Sequence, residues 1–175
     1  MAEKQTFHSG FTAIVGRPNV GKSTLLNALV GEKVAIVSDR PQTTRNQIRG
    51  VLNTDGCQIV FIDTPGMQKP RNKLGEYMQR MANGALEEVE AVLLVLDMQA
   101  GIGAGDRLLL TSLRDSTVPV ILTLNKCDLV APERVDGQSA QIDAAFSFAR
   151  KVKISAVTGD GLDKLREMLC ALMPE

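Results

Sequence analysis

The chain has 175 residues, 44% of them hydrophobic and 23% charged, with Lys plus Arg matching Asp plus Glu at 20 each. Such values predict one globular domain with a single good core, and zero net charge with one Tyr and five Phe argues against strong RNA or DNA binding by this stretch alone. Cys57, Cys127 and Cys170 are odd in number and lack metal-site spacing, so reduced thiols in a cytoplasmic protein are expected. Residues 1–6 lack the apolar core of a signal peptide, and no apolar run has the length of a membrane span.

Residues 1–10 read as a polar lead-in and 11–175 as one domain. Phe11–Val15 is an apolar run that predicts a strand. Gly16-Arg17-Pro18-Asn19-Val20-Gly21-Lys22-Ser23 follows, then a helix to about Val30 that Gly31 ends. Strand, glycine-bounded loop and helix are the setting of a phosphate-binding loop. Phosphate oxygens need several converging N–H donors; glycines let the backbone wrap that closely, and the helix adds its positive end. In this reading Asn19, Val20, Gly21, Lys22, Ser23 and Thr24 surround the phosphates, with the Lys22 ammonium on the β- and γ-phosphates and the Ser23 hydroxyl on Mg²⁺.

Residues 32–46 show little sustained period, and Pro41-Gln42-Thr43-Thr44-Arg45 is loop-like. A threonine there can ligate Mg²⁺ and offer an N–H to the γ-phosphate; Thr44 is favoured, with Thr43 the alternative. Gln47–Asn53 and Cys57–Ile62, joined by Asn53-Thr54-Asp55-Gly56, predict an antiparallel hairpin. The second of these strands ends in Asp63-Thr64-Pro65-Gly66, where Asp63 can hold the Mg²⁺ shell and the Gly66 N–H can meet the γ-phosphate. Lys69, Arg71 and Lys73 read as a solvated face, with an RNA site as the alternative, and Leu74, Met78 and Met81 mark an amphipathic helix.

Ala91–Asp97 predicts a buried strand, Gly101–Gly105 a flexible connection, Asp106–Arg114 a helix, and Val118–Leu124 a strand with Pro119 at its start. Asn125-Lys126-Cys127-Asp128 comes next. The Asp128 carboxylate can accept the N1–H and N2 amino group that guanine presents side by side, and adenine has no such pair. Asn125 can bridge to the phosphate loop, and the Lys126 stem can cover the base. Pro132–Asp143 is polar, Ala144–Ala149 ends a helix, and Lys151–Ile154 is a short last strand. Ser155-Ala156-Val157 is a second base-contact stretch, with the Ala156 N–H aimed at guanine O6; Gly159–Gly161 then turns the chain into a closing helix, Leu162–Met173. The alternation predicts a doubly wound α/β fold: a mostly parallel six-stranded sheet with helices on both faces, one antiparallel edge strand, and every ligand motif at a strand's carboxyl end.

The set GRPNVGKS, PQTTR, DTPG, NKCD and SAV resembles the translation-factor-related GTPases. The further stretch KPRNKLGEYM (residues 69–78) is similar to the Era-type family of bacterial ribosome-assembly GTPases. The resemblance implies a slow GTP-hydrolysing switch that takes GTP or GDP with Mg²⁺. Ser23, Thr44 and Asp63 would hold the metal, and Lys22, Thr44, Gly66 and Asn19 would serve hydrolysis. It implies a monomer whose full-length form meets 16S rRNA and the small ribosomal subunit, with peripheral membrane association, and a KH RNA-binding domain beyond this stretch. The chain carries no GXXG loop in a KH-like setting, so the resemblance leads one to expect a G domain cut from a longer protein, with absent rRNA binding as the alternative. Ras-type enzymes orient the attacking water with a glutamine after the DxxG turn; Met67 stands there, Gln68 one residue later is a candidate for the role, and the resemblance implies instead that an apolar residue replaces the glutamine. Asn19 resembles the asparagine that helps hold potassium against the phosphates in related GTPases, with a plain turn residue as the alternative. Other readings are another ribosome-assembly or tRNA-modification GTPase of the class and a GTP-loaded scaffold with negligible hydrolysis. A P-loop kinase or ATPase is opposed by NKCD, and a stand-alone RNA-binding module by the neutral charge.

Overall fold

A computed structural model describes residues 6–30, 47–63 and 89–175. Strand β1 (His8–Val15) starts before the apolar run does, because its polar first residues already pair with the neighbouring strand from His8 onward. It feeds helix α1 (Lys22–Val30). The hairpin expected next is formed by β2 (Gln47–Thr54) and β3 (Cys57–Asp63), antiparallel, with an irregularity between Ile48 and Gly50. After β4 (Ala91–Asp97) come α2 (Ala104–Leu113), β5 (Val120–Asn125), a 3₁₀ turn (Cys127–Leu129), α3 (Pro132–Ala145), β6 (Arg150–Lys153) and α4 (Leu162–Leu172).

Among the described residues six strands form one sheet in the order β2-β3-β1-β4-β5-β6. Five run parallel and only the edge strand β2 runs against them. The expected fold is therefore the observed one. Parallel strands need helical crossovers on the faces, and side chains alternate between faces along each strand, so two cores form. Ile14, Phe61, Leu93 and Ile121 meet Leu25 and Leu29 of α1 and Leu165 and Leu169 of α4 on one side. Val15, Ile62, Leu94 and Leu122 meet Leu109 and Leu113 of α2 and Val135 and Ile142 of α3 on the other. Central β4 is buried along its whole length, as a strand covered on both faces must be.

Two local expectations are corrected. Residues 132–143, polar by composition, are helical: Pro132 sits at the helix start, and Val135, Ser139 and Ile142 fall on one face at a spacing of four and three. The helix ends at Ala145, so Phe146 and Phe148 pack against the second core from non-helical chain, their ring centroids 6.1 Å apart. Gly101–Gly105 is no slack connection, because α2 already begins at Ala104 and its first turn is built on that glycine run.

Candidate nucleotide site

The loop between β1 and α1 has the backbone that the motif asks for. Asn19 and Gly21 take positive φ, 67° and 100°, and the Gly21 carbonyl accepts the Leu25 N–H at 2.9 Å to start the helix. Room is short on both sides. A Cβ at Gly21 would stand 2.5 Å from Asn125 Nδ2, and one at Gly16 would stand 2.8 Å from the Val95 carbonyl oxygen. Gly21 is required by close approach as well as by φ, and Gly16 by close approach. Lys22 begins α1 and its Nζ donates to the Gly16 carbonyl at 2.5 Å, across the loop. Ser23 and Thr24, one and two residues further along, are exposed at the helix start.

Strand β5 ends in Asn125, which is 2% exposed and makes two bonds in opposite directions. Its Nδ2 donates to the Val20 carbonyl at 3.0 Å, and its Oδ1 accepts the Ala156 N–H at 3.1 Å. The expected bridge to the phosphate loop is present, and a second bridge, to the Ser155–Val157 turn, was not foreseen. It also changes the outlook for Ala156, whose N–H is engaged here by Asn125; a bond to guanine O6 would have to share or replace that one. Lys126 adopts φ 65° and its Nζ donates to the Asn19 carbonyl at 3.0 Å and to Asp97 at 2.8 Å. Asp97 ends β4 and its other carboxylate oxygen accepts the N–H groups of Gln99 and Ala100. Burial works to raise the Asp97 carboxyl, but the Lys126 ammonium and the two N–H donors outweigh it and hold it below the ordinary 3.8.

Asp128 lies in the 3₁₀ turn with its side chain exposed, beside Leu129, also exposed. Ser155 is buried and its hydroxyl accepts the Thr158 N–H at 3.1 Å, which shapes the turn and leaves Val157 79% exposed. Loops from the ends of β1, β5 and β6 thus meet at one edge of the sheet. Asp63, the last residue of β3, is paired in register with Ile14 of β1, so its backbone stands at the same edge. Thr43, Thr44, Gly66, Met67 and Gln68 lie outside the described residues. The position of Asp97 could have been suspected from a carboxylate at the end of an apolar strand, but its partner Lys126 is 29 residues away.

The donor set fits a polyphosphate and its metal. A helix start and Lys22 supply positive charge at a loop too tight for side chains at Gly16 and Gly21, and the Ser23 hydroxyl and Asp63 are hard oxygen donors of the kind Mg²⁺ takes.

Fold and site together define a P-loop GTPase domain. Residues 11–126 match the model of the 50S ribosome-binding GTPase family, and the chain belongs to that family. Among curated relatives, GTPase Era of Carboxydothermus hydrogenoformans is 49% identical over 170 residues, which cover 97% of this chain and 57% of the relative. Among solved structures, Era in complex with MgGDPNP and nucleotides 1506–1542 of 16S ribosomal RNA superposes with a TM-score of 0.76 at 37% identity, over 97% of this chain and 58% of that one. A variant of Aquifex aeolicus Era bound to GDP·AlF4⁻ gives 0.75 at 36%, over 97% and 58%. The chain therefore spans little more than half the length of the Era proteins it resembles.

Proposed function

We propose that the chain is the nucleotide-handling part of an Era-like switch, binding GTP and GDP with Mg²⁺ and hydrolysing GTP to GDP and phosphate. The observation that carries this reading is Asn125: one buried amide holds Val20 on one side and Ala156 on the other. A loop suited to phosphates and two stretches suited to a purine edge then form one surface. The Lys22 ammonium and the N–H groups at the start of α1 neutralise phosphate charge. Asp128 accepts the paired N–H groups of guanine, and the Lys126 stem, pinned at both Asn19 and Asp97, flanks the base.

Ser23, Thr44 and Asp63 would hold the Mg²⁺, which supplies charge stabilisation at the β- and γ-phosphates. Thr44 and the Gly66 N–H are assigned to the γ-phosphate, and Asn19 to a potassium ion beside it. Met67 cannot orient the attacking water, so unassisted turnover is expected at about 10⁻⁴ to 10⁻² s⁻¹, faster in potassium than in sodium. The relative solved with 16S ribosomal RNA supports rRNA of the small ribosomal subunit as the partner of the longer protein, in the cytoplasm. Among the described residues no helix is long and apolar enough to cross a membrane.

The test is Asp128→Asn. An amide cannot accept both guanine N–H groups, so the variant should lose GTP and gain xanthosine triphosphate, a reversal of preference by roughly 10⁴. A variant that still prefers GTP refutes the guanine reading.

A further inference from the structure

Arg17 is the first variable letter of the phosphate loop, and neither the motif nor the nucleotide chemistry uses it. Its side chain leaves the loop and crosses to α2. The guanidinium grips Asp106 with two prongs, Nε to Oδ1 at 2.8 Å and an Nη to Oδ2 at 2.7 Å. Asp106 is completely buried, whereas the Arg17 side chain keeps 32% of its exposure. The same carboxylate accepts the Gly103 N–H at 2.9 Å and so caps the first turn of α2. Arg17 has a trough to lie in. A Cβ on Gly103 would come within 3.2 Å of an Arg17 terminal nitrogen, and one on Gly105 within 2.7 Å of its Cδ. Gly105 has no positive φ that would call for glycine; space for Arg17 is the reason left.

A buried carboxylate with one cationic partner is a strong anchor, because parting them would leave an uncompensated charge. The anchor sits on α2, which is packed into the second core through Leu109, Leu110 and Leu113. At its other end is the stretch Gly16–Val20, whose other side-chain ties among the described residues include Lys22 at Gly16, Lys126 at Asn19 and Asn125 at Val20. The loop is thus held at its entry by Arg17 and at its far side by the base-binding motif. Convergent N–H donors gain affinity only when they need not be ordered at the moment of binding.

We infer that Arg17 is a positioning residue for the phosphate loop, acting through Asp106 to hold the loop's N–H groups ready for a nucleoside diphosphate or triphosphate. The inference rests on reading this loop as a guanine-nucleotide site. The Arg17 guanidinium is committed to Asp106 and would not itself be the phosphate's partner. The measurement is the ratio of GDP to GMP affinity for the purified chain, since GMP shares the base but lacks the phosphate that a P-loop encloses.

Gly105→Ala keeps every charged group and improves helix propensity, yet its methyl group must displace Arg17. The expected result is a folded variant with a lower Tm, because the buried Asp106 carboxylate loses its partner, and a fall in the GDP-to-GMP ratio of about 10-fold. Arg17→Met should give the same fall, and Arg17→Met combined with Asp106→Asn should be no worse than Arg17→Met alone, since the two act as one unit. Arg17→Lys should recover only part, for lack of the two-pronged grip. If Gly105→Ala and Arg17→Met both fold and keep the wild-type ratio, the pair merely fastens α2 and the inference falls. If the wild-type chain itself shows no preference for GDP over ADP, the guanine reading falls first and takes the inference with it.

Discussion

The two edges of the sheet are fastened in different ways. At the carboxyl edge the ties run through particular side chains to distant loops: Asn125 to Val20 and Ala156, Lys126 to Asn19 and Asp97, Arg17 to Asp106. At the amino edge the ties largely end on main chain near the termini. The Ser9 N–H donates to the Pro174 carbonyl, the His8 N–H to the Gly56 carbonyl, and the His8 ring bonds the Met173 carbonyl. Main-chain pairing survives most substitutions, because every residue carries the same groups. A side-chain tie survives only the residue that makes it. The carboxyl edge should therefore lose binding when mutated, and the amino edge should lose only stability.

The sharpest way to break this contrast is Asn125→Ala. Both the Val20 carbonyl and the Ala156 N–H would lose their partner, each at about 1–3 kcal/mol where water cannot replace it. Equilibrium titration with fluorescent GDP should show affinity down by about 100-fold or more. Affinity within twofold of wild type would mean that the three loops keep their places without the amide.

Leu165→Ala tests the converse. Leu165, on α4, is fully buried in the core. Its truncation should cost about 2–5 kcal/mol in denaturant unfolding while the preference for GDP over ADP stays as it was. A change of nucleotide preference would show that core and site are not separable in this domain.

Asp97 offers a smaller effect with a defined sign. Its folded carboxyl titrates below 3.8, so the stability it contributes is present above that value and is lost as pH falls through the lower folded value. Between pH 5 and 8 Asp97 should therefore contribute no change in GDP release. Asp97→Asn removes the charge that fixes Lys126, and stopped-flow release of fluorescent GDP should quicken by about 3- to 10-fold, as loss of one charge-assisted bond at a partly exposed lysine allows.

What the sequence made legible was whatever is written in consecutive residues. Gly16–Ser23 and Asn125–Asp128 announce themselves because their chemistry lies within one loop each, and the apolar runs bracketing them set the strands. Arg17 with Asp106 and Lys126 with Asp97 were invisible because each pair joins residues 89 or 29 positions apart, and only the sheet order brings β1, β4 and β5 side by side. The same gap explains the glycine run. Gly103 and Gly105 look like slack in a linear reading and are a fitted trough once Arg17 is laid against them. A helix ending at Ala144–Ala149 was expected, but the body of α3 was not legible for another reason: only Val135, Ser139 and Ile142 of its fourteen residues are buried, too few to raise a period above a polar background.

The smallest expected effect belongs to the amino edge and to Cys57, which opens β3 and is 3% exposed. Burial, with the neighbouring Cys170 thiol adding to it, pushes the Cys57 thiol from 9.0 up to about 12. A raised folded value contributes stability that is complete below the ordinary thiol value and is lost as pH rises. Unfolding at pH 8 should accordingly be insensitive to this group, and between about pH 9 and 12 the wild type should lose stability with a slope approaching one proton. Other groups titrate in that range, so the quantity to measure is the difference in slope between wild type and Cys57→Ala. An equal slope in both would show that Cys57 ionises in the folded chain as easily as in the unfolded one. In the folded chain below pH 9 the thiol should also resist alkylation by iodoacetamide, since the thiolate is the reactive form. GDP affinity should not change with its modification state or its replacement, and a loss of affinity in Cys57→Ala would couple the two edges that the pattern of ties keeps apart.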